Sequence, residues 1–264
     1  MTTTEQELQR LNKIITALRN PESGCPWDKK QTPETMKTYL LEECYETVEA
    51  IDSGRAAAVR EEMGDLFFQL VFISQLYEEQ HAFSLTEVIG GIADKMVHRH
   101  PHVFGDEKVG SAARQSQRWN EIKAAEKKTA TSAADRLTGV PKSLPALRRA
   151  QRVSERAAHN GFEWSGRQAA INKFGEETEE LLEAMRDNDQ NHIIEEMGDV
   201  LFMLVNLARL YNINAEDTMH LATEKFIRRF RGLENLALEE GLNLHDLSET
   251  ELLNLWQRNK NNLT

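Results

Sequence analysis

With 264 residues, 40% of them hydrophobic, the chain is long enough to bury one large or two modest cores, and we predict a globular protein. Its formal charge of −11 argues against binding to nucleic-acid polymers or anionic membranes, so an anionic substrate would need a cation as intermediary. Two cysteines, a polar start without a secretory signal, and no apolar run of the roughly 20 residues that a membrane span needs predict a reduced, cytoplasmic protein.

Helical patterns follow one another along the whole chain. Apolar residues recur with the period of an α-helix, and convincing alternating strands are missing. Thr32 before Pro33 and the Ser-x-x-Glu patterns at Ser84 and Ser248 are typical helix starts, while Gly54 is a typical stop. The predicted fold class is therefore all-α, with helices over 4–19, 33–53, 56–80, 84–99, 114–127, 144–158, 168–187, 191–211, 215–239 and 248–259.

A small, polar segment separates two groups of predicted helices. It contains Gly139 and Pro141 and has the composition of a linker rather than of a packed element. We therefore predict an N-terminal domain over 1–127, a linker over 128–143 and a C-terminal domain over 144–264.

The two predicted domains are copies of one another. The pentapeptide EEMGD occurs at 61–65 and again at 195–199, and EECYE at 42–46 matches EETEE at 176–180 at the same offset of 134 residues. Because the offset is equal, the loop between the two acidic patterns has the same length in both copies, which indicates the duplication of a whole domain. The other matched pairs are Gly24 and Gly161, Trp27 and Trp164, Lys95 and Lys225, Arg99 and Arg229, and Trp119 and Trp256.

The repeated acidic residues predict a metal site in each copy. Residues three apart lie on one helix face, so Glu43 pairs with Glu46 on one helix and Glu62 with Asp65 on the next. Antiparallel packing of these helices brings four carboxylates together, and only a cation relieves their repulsion. Oxygen ligands without Cys or His suit Mg²⁺ or Mn²⁺ better than zinc. The corresponding set in the second copy is Glu177, Glu180, Glu196 and Asp199.

Two further expectations concern how these helices pack. The apolar stripe that includes Leu66, Phe67, Leu70 and Val71 is predicted to lie between the two carboxylate helices. Gly64 and Gly198 stand in the middle of helices, where glycine costs roughly 1 kcal/mol relative to alanine. A close backbone approach or a kink near each site is therefore expected.

Several other interpretations fit the residues less well. A solvated helix face does not explain why the acids agree between the copies while neighbours such as Cys44 and Thr178 differ. A ferritin-like di-metal site needs Glu-x-x-His on two helices, but the position that corresponds to His81 is Ala215. The histidines of HRHPH at 98–102 are interpreted as a helix end with structural or phosphate-facing side chains, and no P-loop or GxSxG pattern is present.

The order EExxE, loop, ExxD and a downstream Lys-x-x-x-Arg resembles the MazG family of nucleoside triphosphate pyrophosphohydrolases. The resemblance covers nearly the entire chain, since the two-domain members carry the motif twice and the first half also contains GCPWDKKQT and HRHPHVFGD. It implies Mg²⁺-dependent hydrolysis of NTPs and dNTPs to the monophosphate and pyrophosphate. It also implies domains that pair with a second copy, which gives a homodimer with a four-helix-bundle-like core.

Roles can be assigned to residues on this basis. A helix that carries Lys225 and Arg229 one turn apart suits phosphate oxygens. Trp256 resembles the aromatic side chain that contacts the base in the family, and Glu176 is a candidate to orient or deprotonate the attacking water. Metal ligands in this site are predicted to be Glu177, Glu180, Glu196 and Asp199. The second, N-terminal site would use Glu42, Glu43, Glu46, Glu62, Asp65, Lys95, Arg99 and Trp119.

The two sites are not predicted to be equal. MazG sites commonly have a lysine shortly before ExxD, and here His192 or Ile193 falls at that place. The first basic helix ends at once after Arg99, whereas the second continues past Arg229, so we expect most turnover at the C-terminal site. A dUTPase-like pyrophosphatase with a narrow base preference and a nucleotide-sensing module without hydrolysis remain as alternatives.

Overall fold

The computed structural model describes residues 2–106, 110–111, 114–115, 118–119, 122 and 137–262. The chain divides into two compact units, Met1–Glu126 and Lys127–Thr264. No strand occurs within these described residues, so the all-α prediction is confirmed. Within the same residues, no helix is both long and apolar enough to cross a membrane.

The first unit is built around a helical hairpin. A three-residue turn, in which Gly54 takes a positive φ of 67°, joins its two long helices. Ser84 forms the predicted capping box with Glu87, and Thr32, predicted as a helix start before Pro33, also forms a capping box, so both fix where a helix begins. The helices of this unit are α1 (Thr4–Leu18), α2 (Pro33–Asp52), α3 (Ala56–Glu79), α4 (Leu85–Arg99) and the short α5 (Pro101–Phe104).

The core of the first unit lies where α1, α2 and α3 meet. Ile15 and Met36 pack there with the α3 residues Val71, Phe72 and Leu76, and all of them are almost inaccessible to solvent. Burial of such side chains stabilises the fold by about 1.5–3 kcal/mol each. The core therefore holds α2 and α3 side by side, and this packing fixes the relative position of their acidic residues.

The second unit repeats the hairpin and adds a network of side-chain hydrogen bonds. Ser154 donates a hydrogen bond to Asn206 at 2.5 Å, and Arg209 donates to Ser154 at 2.8 Å and to Glu163 at 2.6 and 2.7 Å. Ser154 and Asn206 are buried, so these hydrogen bonds satisfy groups that water cannot reach. The helices are α6 (Ala146–His159), α7 (Arg167–Asp187), α8 (Gln190–Leu210), α9 (Ala215–Glu239) and α10 (Glu249–Asn262).

Two packing expectations are met only in part within a single chain. Of the predicted apolar stripe, Val71 is buried in the core, whereas Phe67 and Leu70 are 45% and 49% exposed and so do not lie between α2 and α3. The helix α3 is apolar on more than one face, and the face with Phe72 is the one that enters the core. Gly64 and Gly198 make no close approach either, since a Cβ atom at either position would meet no described atom within 4 Å.

Part of the sequence-based assignment falls outside the described residues. In the predicted helix 114–127, residues 114, 115, 118, 119 and 122 are helical and the others are not described. In the predicted linker 128–143, residues 128–136 are not described, while Val140 is 2% exposed and so is buried. The domain boundaries therefore stay a prediction.

Candidate active site

The hairpin of the first unit brings carboxylates from both of its helices together. Oxygen atoms of Glu43, Glu62 and Asp65 lie within 4.8 Å of one another, whereas Glu46 and Glu42 are outside this group. Burial is the largest influence on the pKa of Glu43 and raises it, the hydrogen bond from Gln69 lowers it, and repulsion from neighbouring carboxylates raises it again. Burial and then repulsion also raise the pKa of Glu62. We call these three carboxylates the first cluster.

The same arrangement recurs in the second unit. Oxygen atoms of Glu177, Glu196 and Asp199, the second cluster, lie within 4.8 Å of one another. Glu177 and Glu196 are both 9% exposed, although α7 and α8 carry acids along much of their surface. Burying charged oxygens at such short separation is unfavourable unless a cation lies among them. The oxygen-only ligand set of both clusters fits a hard divalent cation.

A lysine that sequence reasoning missed lies against the second cluster. Lys173 Nζ is 3.1 Å from Glu177, 3.3 Å from Glu176 and 4.0 Å from Glu180. The hydrogen bond to Glu177 is the largest of the influences that raise the lysine pKa, so the group is charged at neutral pH. The spacing Lys-x-x-Glu-Glu on α7 could have indicated this contact, because residues three and four apart share a helix face.

The lysine also affects Glu180, which lies at the edge of the second cluster. The Lys173 ammonium is the largest single influence on the pKa of Glu180 and lowers it, but desolvation and repulsion from the neighbouring carboxylates leave that pKa raised. At the place where a lysine was expected, His192 Nε2 lies 3.1 Å from Glu196. Two nitrogen groups thus already contact carboxylates of this site.

The predicted basic helix and tryptophan of the second unit belong to α9 and α10. Lys225 and Arg229 lie one turn apart inside α9, and among the described residues no ion pair joins either to a carboxylate. Trp256 on α10 is partly exposed, and its ring centroid is 5.4 Å from that of Phe226 on α9. The aromatic contact places Trp256 beside the residue that follows Lys225.

An asparagine that sequence reasoning also missed holds these two helices in register. The side-chain nitrogen of Asn259 donates to the backbone oxygen of Arg229 at 2.6 Å, and Asn259 is 5% exposed. A Cβ atom on Gly232 would lie 2.3 Å from the side-chain oxygen of Asn259, so any larger residue would displace that side chain. Asn259 lies about one turn after Trp256 on α10, so its contact with Arg229 also determines where Trp256 packs against α9.

The corresponding basic and aromatic residues of the first unit are arranged differently. Arg99 is the last residue of α4, and its guanidinium lies 5.2 Å from the centroid of the Trp119 ring. The His100 ring centroid is 4.9 Å from that of the same ring. Lys95 is exposed on α4. The ring of Trp119 is therefore partly covered by a cation from its own chain.

Comparison with known proteins agrees with this architecture. The family model of the MazG nucleotide pyrophosphohydrolase domain matches residues 31–104 and again 166–232. These two ranges contain the first and the second cluster, respectively. The family domain is therefore present twice.

Curated relatives match along nearly the full length. The chain is 40% identical to the nucleoside triphosphate pyrophosphohydrolase/pyrophosphatase MazG of Thermotoga maritima, over 96% of this chain and 95% of the relative. Its identity to the nucleoside triphosphate pyrophosphohydrolase of Escherichia coli K12 is also 40%, over 96% of this chain and 97% of the relative. A solved structure of a mazG-related protein from Thermotoga maritima is 31% identical to this chain. The match covers 44% of this chain and 98% of the solved one, with a TM-score of 0.38. The chain therefore belongs to the MazG family of nucleotide pyrophosphohydrolase enzymes.

Proposed function

We propose that this chain hydrolyses nucleoside triphosphates, both ribo- and deoxyribonucleotides, to the monophosphate and pyrophosphate with Mg²⁺, or Mn²⁺ in its place. The observation that carries the proposal is the recurrence of a three-carboxylate cluster, 4.8 Å or less across, inside both family-matched ranges. The absence of a membrane-spanning helix in the described residues is consistent with the proposed place of action, the cytoplasmic nucleotide pool.

The residues of the second unit suit the steps of this reaction. Glu177, Glu196 and Asp199, with Glu180 at their edge, would hold the cation, which when bound neutralises the triphosphate and activates water. Glu176, exposed and 3.3 Å from Lys173, would orient the attacking water.

The other residues of the second unit would bind the nucleotide. Lys225 and Arg229 would bind phosphate oxygens, because neither is paired with a carboxylate among the described residues. The lysine at the second cluster, Lys173, would join them when a triphosphate arrives. The partly exposed ring of Trp256 would stack on the base, and stacking tolerates every base. Broad base tolerance is therefore part of the proposal.

The second site would carry most of the turnover. Arg229 lies inside a long helix, whereas Arg99 is at the end of α4 and lies over Trp119, so the first site offers a covered ring and a less well-oriented cation. Glu180→Gln should remove most of the activity and Glu46→Gln only a minor part. The opposite result would assign catalysis to the first unit.

Assembly is the remaining part of the proposal. Domains over 1–127 and 144–264, joined by 128–143, would pair with the same domains of a second chain in a homodimer. The exposed apolar side chains Phe67 and Leu70 beside the first cluster support such pairing, because a contiguous apolar face is normally covered in solution. A four-helix-bundle-like arrangement of α2 and α3 with their copies would result.

A pyrophosphate-release assay tests the activity. The whole chain is incubated with each of the eight common NTPs and dNTPs, with Mg²⁺, with Mn²⁺ or with chelator, and pyrophosphate and phosphate are measured separately. Pyrophosphate from all of them, dependent on the cation, is the expected result. Release from one base alone would favour the dUTPase-like alternative, and nucleotide binding without release would favour a sensing module. Hydrolysis in ¹⁸O-water shows which phosphorus atom is attacked.

A further inference from the structure

The two clusters bring corresponding carboxylates together within the same distance but differ in the nitrogen groups next to them. In the second cluster, Lys173 lies 3.1 Å from Glu177 and His192 lies 3.1 Å from Glu196. At the offset of 134 residues that relates the hairpins, the first unit has Tyr39 in place of the lysine and Ala58 in place of the histidine. The duplication therefore supplies an internal comparison in which the metal-type ligands are kept and the neighbouring positive charge is not.

The surroundings of the first cluster are polar but uncharged. Among the described residues, no ion pair reaches Glu43, Glu62 or Asp65. The described donor to this cluster is the side-chain amide of Gln69, whose nitrogen lies 3.4 Å from Glu43. An amide neutralises none of the negative charge, so a cation has no competitor there.

The buried residues beneath the first cluster point to a ligand. Gln69 is 6% exposed and its amide faces Glu43, yet its side-chain oxygen has no hydrogen-bond partner among the described residues. The hydroxyl oxygen of Thr47, one turn after Glu43, is also buried and unpartnered within the described chain. The corresponding positions in the second unit hold Leu181 and Met203, and the buried oxygen without a described partner there is Oε2 of Glu196, a carboxylate of the second cluster itself. Buried polar atoms without a partner are uncommon, and the Gln69 amide that carries one of them is also the group that contacts Glu43.

The charge difference is large enough to change cation binding. A positive charge about 5 Å from a divalent ion repels it, even at the dielectric constant of water, enough to weaken binding by about tenfold or more. Lys173 has this effect on the second cluster as long as it remains paired with Glu177. A triphosphate that brings its own cation also brings oxygen atoms with which Lys173 can pair instead.

We propose that the first cluster retains a divalent cation in the absence of nucleotide, whereas the second cluster, paired with Lys173, takes up its cation together with the triphosphate. The second half of this statement rests on the proposed nucleotide site. The first unit would then contain a permanently bound ion that stabilises its hairpin, and the second unit would bind a new ion with the triphosphate in each catalytic cycle.

The test is a titration of the whole, nucleotide-free chain with Mn²⁺, in which electron paramagnetic resonance measures the concentration of the free ion. The expected result is one tight ion per chain, which Glu62→Gln removes and Glu196→Gln leaves in place. Lys173→Met should strengthen binding at the second cluster by about tenfold or more and add a second tight ion. Lys142→Met, a change of an exposed lysine in the same unit, is the matched control and should change nothing.

A reciprocal exchange keeps the test decisive if one variant does not fold. Ala58→Lys places a lysine one turn before Glu62, at the position that corresponds to His192, and should weaken the ion of the first cluster by about tenfold or more, with circular dichroism as the check on folding. Two equal ions in the unmodified chain, or loss of the tight ion on Glu196→Gln, would overturn the inference. If the chain hydrolyses NTPs but binds two ions with equal affinity, only this inference is contradicted. If it binds two ions with unequal affinity but does not hydrolyse NTPs, only the proposed function is contradicted.

Discussion

The contact between Gly232 and Asn259 leads to a prediction that a matched pair of glycine variants can test. Alanine in place of glycine inside a helix normally stabilises a protein by about 1 kcal/mol. Gly198→Ala should show this gain in the metal-free protein, because a Cβ atom there meets no described atom within 4 Å. Gly232→Ala should not, because its Cβ atom would lie 2.3 Å from the side-chain oxygen of Asn259.

The size of the effect follows from what Asn259 would lose. To avoid the new methyl group it must leave the 2.6 Å hydrogen bond to the Arg229 carbonyl, and at 5% exposure water does not replace that bond. An unsatisfied buried polar group costs about 1–3 kcal/mol. Because both variants share the helix-propensity gain, Gly232→Ala should be less stable than Gly198→Ala by about 1–3 kcal/mol.

Equilibrium urea unfolding followed by circular dichroism measures this difference. The clash should disappear in the Asn259→Ala background, where Gly232→Ala is expected to be neutral or stabilising, so a double-mutant cycle isolates the contact. A second readout is the KM for nucleotide, which Gly232→Ala should raise because α10 carries Trp256. If Gly232→Ala stabilises the protein as much as Gly198→Ala does, the contact does not hold the two helices in register.

Three further outcomes are expected. Glu180→Gln should remove most of the pyrophosphate release without loss of helical circular dichroism, whereas Glu179→Gln leaves activity intact. A Glu180→Gln variant that melts early but stays active would make Glu180 a structural residue. Sedimentation velocity should give a dimer, since Phe67 and Leu70 are about half exposed in one chain, and a fully active monomer would contradict this. The third outcome concerns pH. Burial first and then repulsion raise the pKa of Glu43, so ionisation of this carboxyl group disfavours folding. The destabilisation grows as the pH rises from the unfolded-state pKa of about 4.3 through the raised folded-state pKa. Glu43→Gln should therefore raise the Tm in chelator most at neutral pH and not at all below about pH 4, and a gain independent of pH would refute it.

Much of the fold could be predicted because its signals are local. Helix period, capping residues and turn residues depend on neighbours within about four positions, so the starts at Thr32 and Ser84 were predictable from the letters alone. The acidic spacing was readable for the same reason, since residues three apart share a helix face. The duplication then related the two halves without any knowledge of tertiary contacts.

The choice of buried face was not local. On α3 the sequence offers more than one apolar face, and the position of α1 decides that Phe72 enters the core while Phe67 remains exposed. The same limit explains Gly198: its place inside a helix was readable, but the open space around it depends on where other helices lie.

The sequence by itself determined the helical class, the two copies and the acidic helix faces from which each cluster is drawn, because these follow from spacing along one chain, whereas the packing of the helices selected three of the four predicted carboxylates in each copy. Only the tertiary structure decided how the copies differ. Arg99 lies over Trp119, and Asn259 fills the space left by Gly232. Contacts such as that of Asn259 join residues far apart in sequence, and for them the outcome depends on packing between helices, which no local pattern encodes.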